Sequence, residues 1–191
     1  ISHEFYFLEI NPRLQVEHTI TESISMSDLV RSQLMLSQGA NLDDCGLTSS
    51  SLARDPETLP PLHSIQLRVT AENVETNWAL SIGKISKFRF PTGNGVRVDT
   101  HLVNGHDAIV STDFDSLIAK LIITGCSWRE TVQKAKRALE DTLISGVQTN
   151  VNMLKAIVTH QDLLEGSCNT QWLENRHEEL LHASRQFPTS H

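Results

Sequence analysis

Hydrophobic and polar positions along the chain follow two periods, and these mark out its elements. Over residues 64–71, Ile65, Leu67 and Val69 alternate with Gln66, Arg68 and Thr70, which predicts a strand with Arg68 on its polar side. Residues 83–90 and 96–102 also read as strands. Pro91-Thr92-Gly93-Asn94-Gly95 lies between them with the residues of a tight hairpin turn. A turn at Asn104-Gly105 leads to another strand, and Asp113-Phe114-Asp115-Ser116 precedes the apolar run 117–124. The helical period appears over 27–38, where Met26, Leu29, Val30 and Leu34 form a stripe with Ser27 as N-cap and Gly39 as stop. It returns after Ser127, which with Glu130 makes an S-x-x-E capping box. That helix runs to about residue 144, buries Val132, Ala135, Leu139 and Leu143, and is stopped by Gly146. A further helix begins near Asn150 with Leu154, Ile157 and Val158. Residues 40–62, rich in Ser, Asp and Pro, read as a loop between subdomains, and the charged tail from Glu174 reads as frayed. The order predicts an α+β fold, an antiparallel β meander with flanking helices.

The opening stretch carries the densest pattern. Glu9, Asn11, Arg13, Gln15 and Glu17 occupy alternate positions, with Leu8, Ile10, Leu14 and Val16 between them. On an extended backbone the first set shares one face and the second the other. Pro12 suits an edge strand and opposes a helix. The commoner use of such a face is solvation of an edge strand. Two amides set among carboxylates and an arginine also suit a small planar anion. Arg13 can present a two-pronged donor, Gln15 a further amide, and Glu17 a base that takes a proton. An apolar strand at residues 5–8 needs sheet neighbours. The expectation is therefore either a piece of a longer chain or a shortened gene product that covers this edge in another way.

Composition narrows the classes. The 191 residues are 39% hydrophobic and 20% charged with a net charge of −7, which suits a globular fold and opposes a nucleic-acid or acidic-membrane surface as main partner. No run approaches the roughly 18 apolar residues of a membrane span. Cys45, Cys126 and Cys168 are odd in number and lack C-x-x-C spacing, which predicts buried free thiols in a reducing compartment. The nine histidines show no i, i+4 zinc pair; His18 and His63 read as core or site-supporting groups. Gly93-Asn94-Gly95 is a lone turn signal, and no glycine-rich phosphate loop is present.

Residues Phe7-Leu8-Glu9-Ile10-Asn11-Pro12-Arg13-Leu14-Gln15-Val16-Glu17-His18 closely resemble the signature of the biotin carboxylase component of biotin-dependent carboxylases, and Thr19-Ile20-Thr21-Glu22 resembles its pyruvate carboxylase branch. Further marks follow in the family's order: Gln66 to Glu72, Gly83-Lys84-Ile85, Gly95 to Asp99, Phe114 to Leu117, and Gly146 to Asn150. The resemblance implies that residues 1–40 are a remnant of an ATP-grasp domain and 41–63 a connecting loop. It makes 64–175 the carboxylase C-terminal domain and 176–191 a tail. It assigns Arg13, Gln15 and the Val16 backbone to bicarbonate, Glu17 to its deprotonation, and Arg68 to the biotin enolate. Glu9 and Asn11 fall to the metal of ATP, an incomplete site without its partner carboxylate. Trp78 and Ile82 depart from the phenylalanine and proline expected before Gly83.

The expected function is thus the C-terminal part of a biotin carboxylase that is not ATP-competent alone. Alternatives are nucleotide-independent acid/base chemistry on a small anionic metabolite, as an isomerase, lyase or cyclase, and a non-catalytic dimerisation or assembly domain. No cofactor is expected on this chain alone; biotin, ATP and Mg belong to the complete site. The implied partners are a second copy, the ATP-grasp half and a biotin carrier. A cytoplasmic or mitochondrial setting is expected.

Overall fold

The computed structural model describes residues 6–48 and 62–188. Its centre is a three-stranded antiparallel sheet of β1 (His63–Thr70), β8 (Leu117–Gly125) and β6 (Val96–Thr100), in the order β1-β8-β6. Three two-stranded pairs surround it. β2 (Glu72–Asn73) pairs with β3 (Ala79–Leu80), β4 (Gly83–Ile85) with β7 (Ala108–Val110), and β5 (Lys87–Arg89) with β9 (Leu143–Ser145), all antiparallel. The helices are α1 (His18–Ser25), α2 (Leu29–Ser37), α3 (Trp128–Asp141), α4 (Val151–Thr159), α5 (Gln161–Glu165), α6 (Trp172–Asn175) and α7 (His177–Ser184). The mixed helix and antiparallel-strand fold expected from the periodicity is present.

Alternation along β1 and β8 sorts the central sheet into two faces. Leu67, Val69, Leu121 and Ile123 join Ala135, Ala138 and Leu139 of α3 in the main core, each 5% exposed or less. The predicted α3 cap forms: the Ser127 hydroxyl accepts the Glu130 N–H at 3.2 Å, and Glu130 accepts the Cys126 N–H at 2.9 Å. A buried leucine such as Leu139 contributes about 1.5–3 kcal/mol by leaving water.

Several connections differ from the sequence reading. The strand expected over 83–90 is two strands with different partners. The break falls at Ser86, whose N–H donates to the Ser145 carbonyl at 2.9 Å. The segment at 91–95 does not close a hairpin, because β5 pairs with β9 and β6 with β8. Gly95, at φ +75, instead brings the backbone against β8, and any Cβ there would overlap the Thr124 carbonyl oxygen. Among the described residues only β2 and β3 pair as chain neighbours, so the described strands do not form a simple meander. The helix expected to reach 144 ends at Asp141; Thr142 turns extended, and Leu143 enters β9 rather than the buried face of α3.

The cap of α2 is Asp28, whose carboxylate accepts the Arg31 N–H at 2.8 Å; Ser27 pairs with Ser25 instead. The tail is not frayed through 188. α7 buries Leu180 and Leu181 with Val74, Met153 and Ala156 in a second core, and Arg185 donates to both carboxylate oxygens of Glu75 at 2.8 and 2.6 Å. All three cysteines are free, with Cys126 exposed and the other two half-buried, so none is the fully buried thiol expected. The loop expected over 40–62 lies largely outside the described residues. Among those described, no helix is long and apolar enough to cross a membrane.

Candidate functional site

Arg68 of β1, Lys120 of β8 and Asp99 of β6 stand directly opposite one another in register, a charged row across three strands. The segment before α1, and α1 itself, lie on this row. The Glu17 carboxylate accepts a hydrogen bond from Arg68 Nη2 at 2.7 Å, with both side chains about half exposed (50% and 49%). In that setting the pair contributes roughly 0.2–1 kcal/mol to folding, so its position calls for another account. Arg97 grips Asp99 through two bonds, at 2.8 and 3.0 Å, and also reaches Glu22 at 3.1 Å. Partial burial pushes the Asp99 carboxyl up, but the hydrogen bonds and charges of Arg97 and Lys120 outweigh it and hold the group below its ordinary value. The bond to Asp99 in turn raises the Arg97 guanidinium.

α1 is tied to the sheet by polar contacts more than by burial. Thr19, its one fully buried residue, donates its hydroxyl to Gln66 Oε1 at 2.6 Å. Glu22 links α2 to the sheet, accepting the Leu29 N–H at 3.0 Å on one oxygen and Arg97 on the other. His18 turns its ring back on the loop, and because the Gln15 carbonyl only accepts, His18 Nδ1 carries the proton of that 2.7 Å bond.

The strand expected for the opening stretch does not form. Residues 6–15 are irregular, and the Arg13 N–H bonds the Asn11 carbonyl at 2.8 Å across Pro12, which breaks the two-residue alternation. No strand among the described residues pairs with this segment, so its backbone lacks the ladder that would hold it extended, and Phe7, Leu8 and Ile10 are exposed rather than hidden on one face. The site is nevertheless gathered by the turn into α1. Arg13, Gln15 and Glu17 line a cleft of about 350 Å³ with His18, Ser32 and Leu36, and Arg68 meets it at Glu17. Val16 lies between, its carbonyl facing Lys120.

Glu9 and Asn11 lie apart from that cleft lining, exposed and joined to each other at 3.3 Å. No group of three His, Cys, Asp or Glu side chains among the described residues is placed to hold a metal ion. One carboxylate and one amide do not fit a divalent cation that demands several oxygens.

Three contributors received no site role in the sequence reading: Lys120, Asp99 and Asn150. Lys120 is the lone charge in the apolar run of β8, a signal that could have singled it out. Asn150, 6% exposed, continues the pairing at the end of β1. Its side chain accepts the Thr70 N–H at 3.0 Å and donates to the Arg68 carbonyl at 2.9 Å, which fixes the backbone under the Arg68 guanidinium.

Comparison with known proteins agrees with this architecture. Residues 66–175 match the model of the biotin carboxylase C-terminal domain, and residues 1–45 match the carbamoyl-phosphate synthase L chain ATP binding domain. Pyruvate carboxylase of Aspergillus niger is 36% identical over 174 residues, which cover 91% of this chain and 14% of that protein. The biotin carboxylase domain of a single-chain bacterial carboxylase superposes with a TM-score of 0.83 at 34% identity, over 97% of this chain and 41% of that one. The biotin carboxylase domain dimer of Hydrogenobacter thermophilus 2-oxoglutarate carboxylase, in complex with MgADP, ADP and bicarbonate, gives 0.81 at 33% identity over 92% of this chain and 36% of its own. This chain therefore spans a minor part of each relative. With its charged sheet row, its α3-backed core and a family match over more than half its length, the chain belongs to the biotin carboxylase C-terminal domain family of the biotin-dependent carboxylases.

Proposed function

We propose that this chain forms the bicarbonate and biotin side of an ATP-dependent carboxylation site. The observation that carries the reading is the Glu17–Arg68 contact at 2.7 Å on the edge of a cleft lined by Arg13 and Gln15. A base, a planar cationic donor, an amide and a second guanidinium then lie within reach of one small anion. Arg13 and Gln15 orient bicarbonate through its oxygens, and Glu17 takes its proton. Arg68 is released from Glu17 when that carboxylate is protonated, and its freed N–H groups stabilise the enolate oxygen of biotin. ATP, as co-substrate, supplies the phosphoryl group that activates bicarbonate. In this reading nucleotide, metal and biotin carrier are held by partner segments, this chain alone binds none of them, and a second copy completes the assembly. The dimeric 2-oxoglutarate carboxylase domain, solved with bicarbonate, supports both parts.

The test is co-expression with an ATP-grasp half from a related carboxylase, followed by measurement of bicarbonate-dependent ATP hydrolysis. Recovery of turnover and a loss of about 10²–10⁴-fold in Glu17→Gln is expected. A soluble, folded pair without turnover opposes the reading, as does a Glu17→Gln variant that retains full activity. Nucleotide-independent turnover of a small anionic metabolite that Glu17→Gln removes would replace it.

A further inference from the structure

Lys120 is the only charged residue of β8, and its side chain is 13% exposed. It stands directly opposite Arg68, and like charges in that position repel across a strand pair. A core strand would be better served there by an apolar residue, so this cation needs a reason to be retained. Its contacts supply one. The ammonium lies 3.2 Å from Asp99, which Arg97 holds from the other side, and 3.5 Å from the Val16 carbonyl oxygen. The second contact is long for a hydrogen bond and acts through the full charge on the donor.

The two carbonyls flanking this part of the loop are thereby both engaged. The Gln15 carbonyl accepts from His18 through its N–H at 3.2 Å and its ring at 2.7 Å, and the Val16 carbonyl faces Lys120. In a trans peptide unit the N–H points opposite to the C=O. Engaging the Gln15 carbonyl directs the Val16 N–H away from His18, and engaging the Val16 carbonyl sets the peptide plane from which Glu17 projects. We infer that Lys120, anchored by Asp99, is a positioning residue that fixes the Val16–Glu17 peptide and places a second cation beside Arg68. The identity of that anion rests on the carboxylation reading; the positioning of the loop does not.

The experiment compares Lys120→Met with Lys120→Arg, using backbone amide relaxation of residues 14–17 in this chain and steady-state kinetics in the reconstituted pair. In Lys120→Met the amides of Gln15, Val16 and Glu17 become more mobile while those of α3 do not, and Lys120→Arg restores them. The bicarbonate KM rises by about tenfold with the ATP KM unchanged. Loop amides as rigid in Lys120→Met as in the parent overturn the inference. So does an unchanged bicarbonate KM in a pair that Glu17→Gln inactivates, which leaves the carboxylation reading standing. If turnover instead survives Glu17→Gln, the carboxylation reading falls and the loop amides alone decide the role of Lys120.

Discussion

Replacing Thr19 by valine should loosen the site's supporting helix without unfolding the domain. The substitution keeps the branched shape and removes one hydroxyl, the donor to Gln66 Oε1 at 2.6 Å. A hydrogen bond of this kind contributes about 0.5–1.5 kcal/mol net, and the partner left without a donor in a part-buried place brings the cost to about 1–3 kcal/mol. α1 buries only Thr19, so little apolar burial opposes its release, whereas α3 buries five residues, three of them in the main core. The loss therefore appears as local undocking of α1 rather than as global unfolding. At about 1.4 kcal/mol per decade, the open population rises roughly 5–150-fold. Native-state hydrogen exchange measures this directly: amides late in α1 should exchange faster by that factor in Thr19→Val, with α3 amides nearly unchanged and Thr19→Ser close to the parent. Equal acceleration in α1 and α3 would refute the reasoning, because the bond would then support the whole fold. No acceleration in α1 would show that other contacts hold the helix.

Three further outcomes are expected. Lys155 is 9% exposed, and burial holds its amine below the ordinary 10.5, partly opposed by the charge of Glu140. Between that lowered value and 10.5 the unfolded chain binds more protons, so the parent gains stability as pH rises through the window. Lys155→Met should thus have a higher Tm than the parent at pH 7, with the gain shrinking towards pH 10; a constant difference would exclude the linkage. Asp99 lies below its ordinary 3.8, so its contribution is complete above that value and is lost as pH falls through the folded one. The Tm deficit of Asp99→Asn should be full near neutrality and close as pH falls below 3.8, as followed by thermal melts on both sides of that value. Gly146 sits at φ +104 with its missing Cβ directed at the Lys84 carbonyl oxygen, so Gly146→Ala should cost roughly 2–4 kcal/mol in a denaturant titration. A neutral result would mean that β4 shifts to make room.

Much of the fold was legible because burial has a period. Alternation over β1, the apolar run of β8 and the S-x-x-E box before α3 each report a local rule; both strands formed within a residue or two of their expected places, and α3 began where its cap set it. Misreadings came where a partner decides. Ser86 divides one apparent strand because Ser145 lies beside it, and Leu143 leaves the helical stripe because residues 143–145 find β5. Three residues are too few to show a period. Leu180 and Leu181 were hidden within a charged segment, and only the facing side chains of α4, with Val74, make them core.

The chemistry of the site divides in the same way. Sequence alone determined which groups were available: Arg13, Gln15, Glu17 and Arg68 are identities, and the long motif around them names a family whatever its local conformation. Tertiary structure decided what those groups meet. The opening segment carries the alternation of a strand yet takes no strand conformation, because an extended backbone is held by hydrogen bonds from a neighbour and none among the described residues supplies them. Glu17 finds Arg68 across 51 positions, and Lys120 reaches the Val16 carbonyl across 104. No local rule of charge or spacing predicts either contact. Both arise from the β1-β8-β6 order, which brings one charge from each strand into a single row beneath the loop.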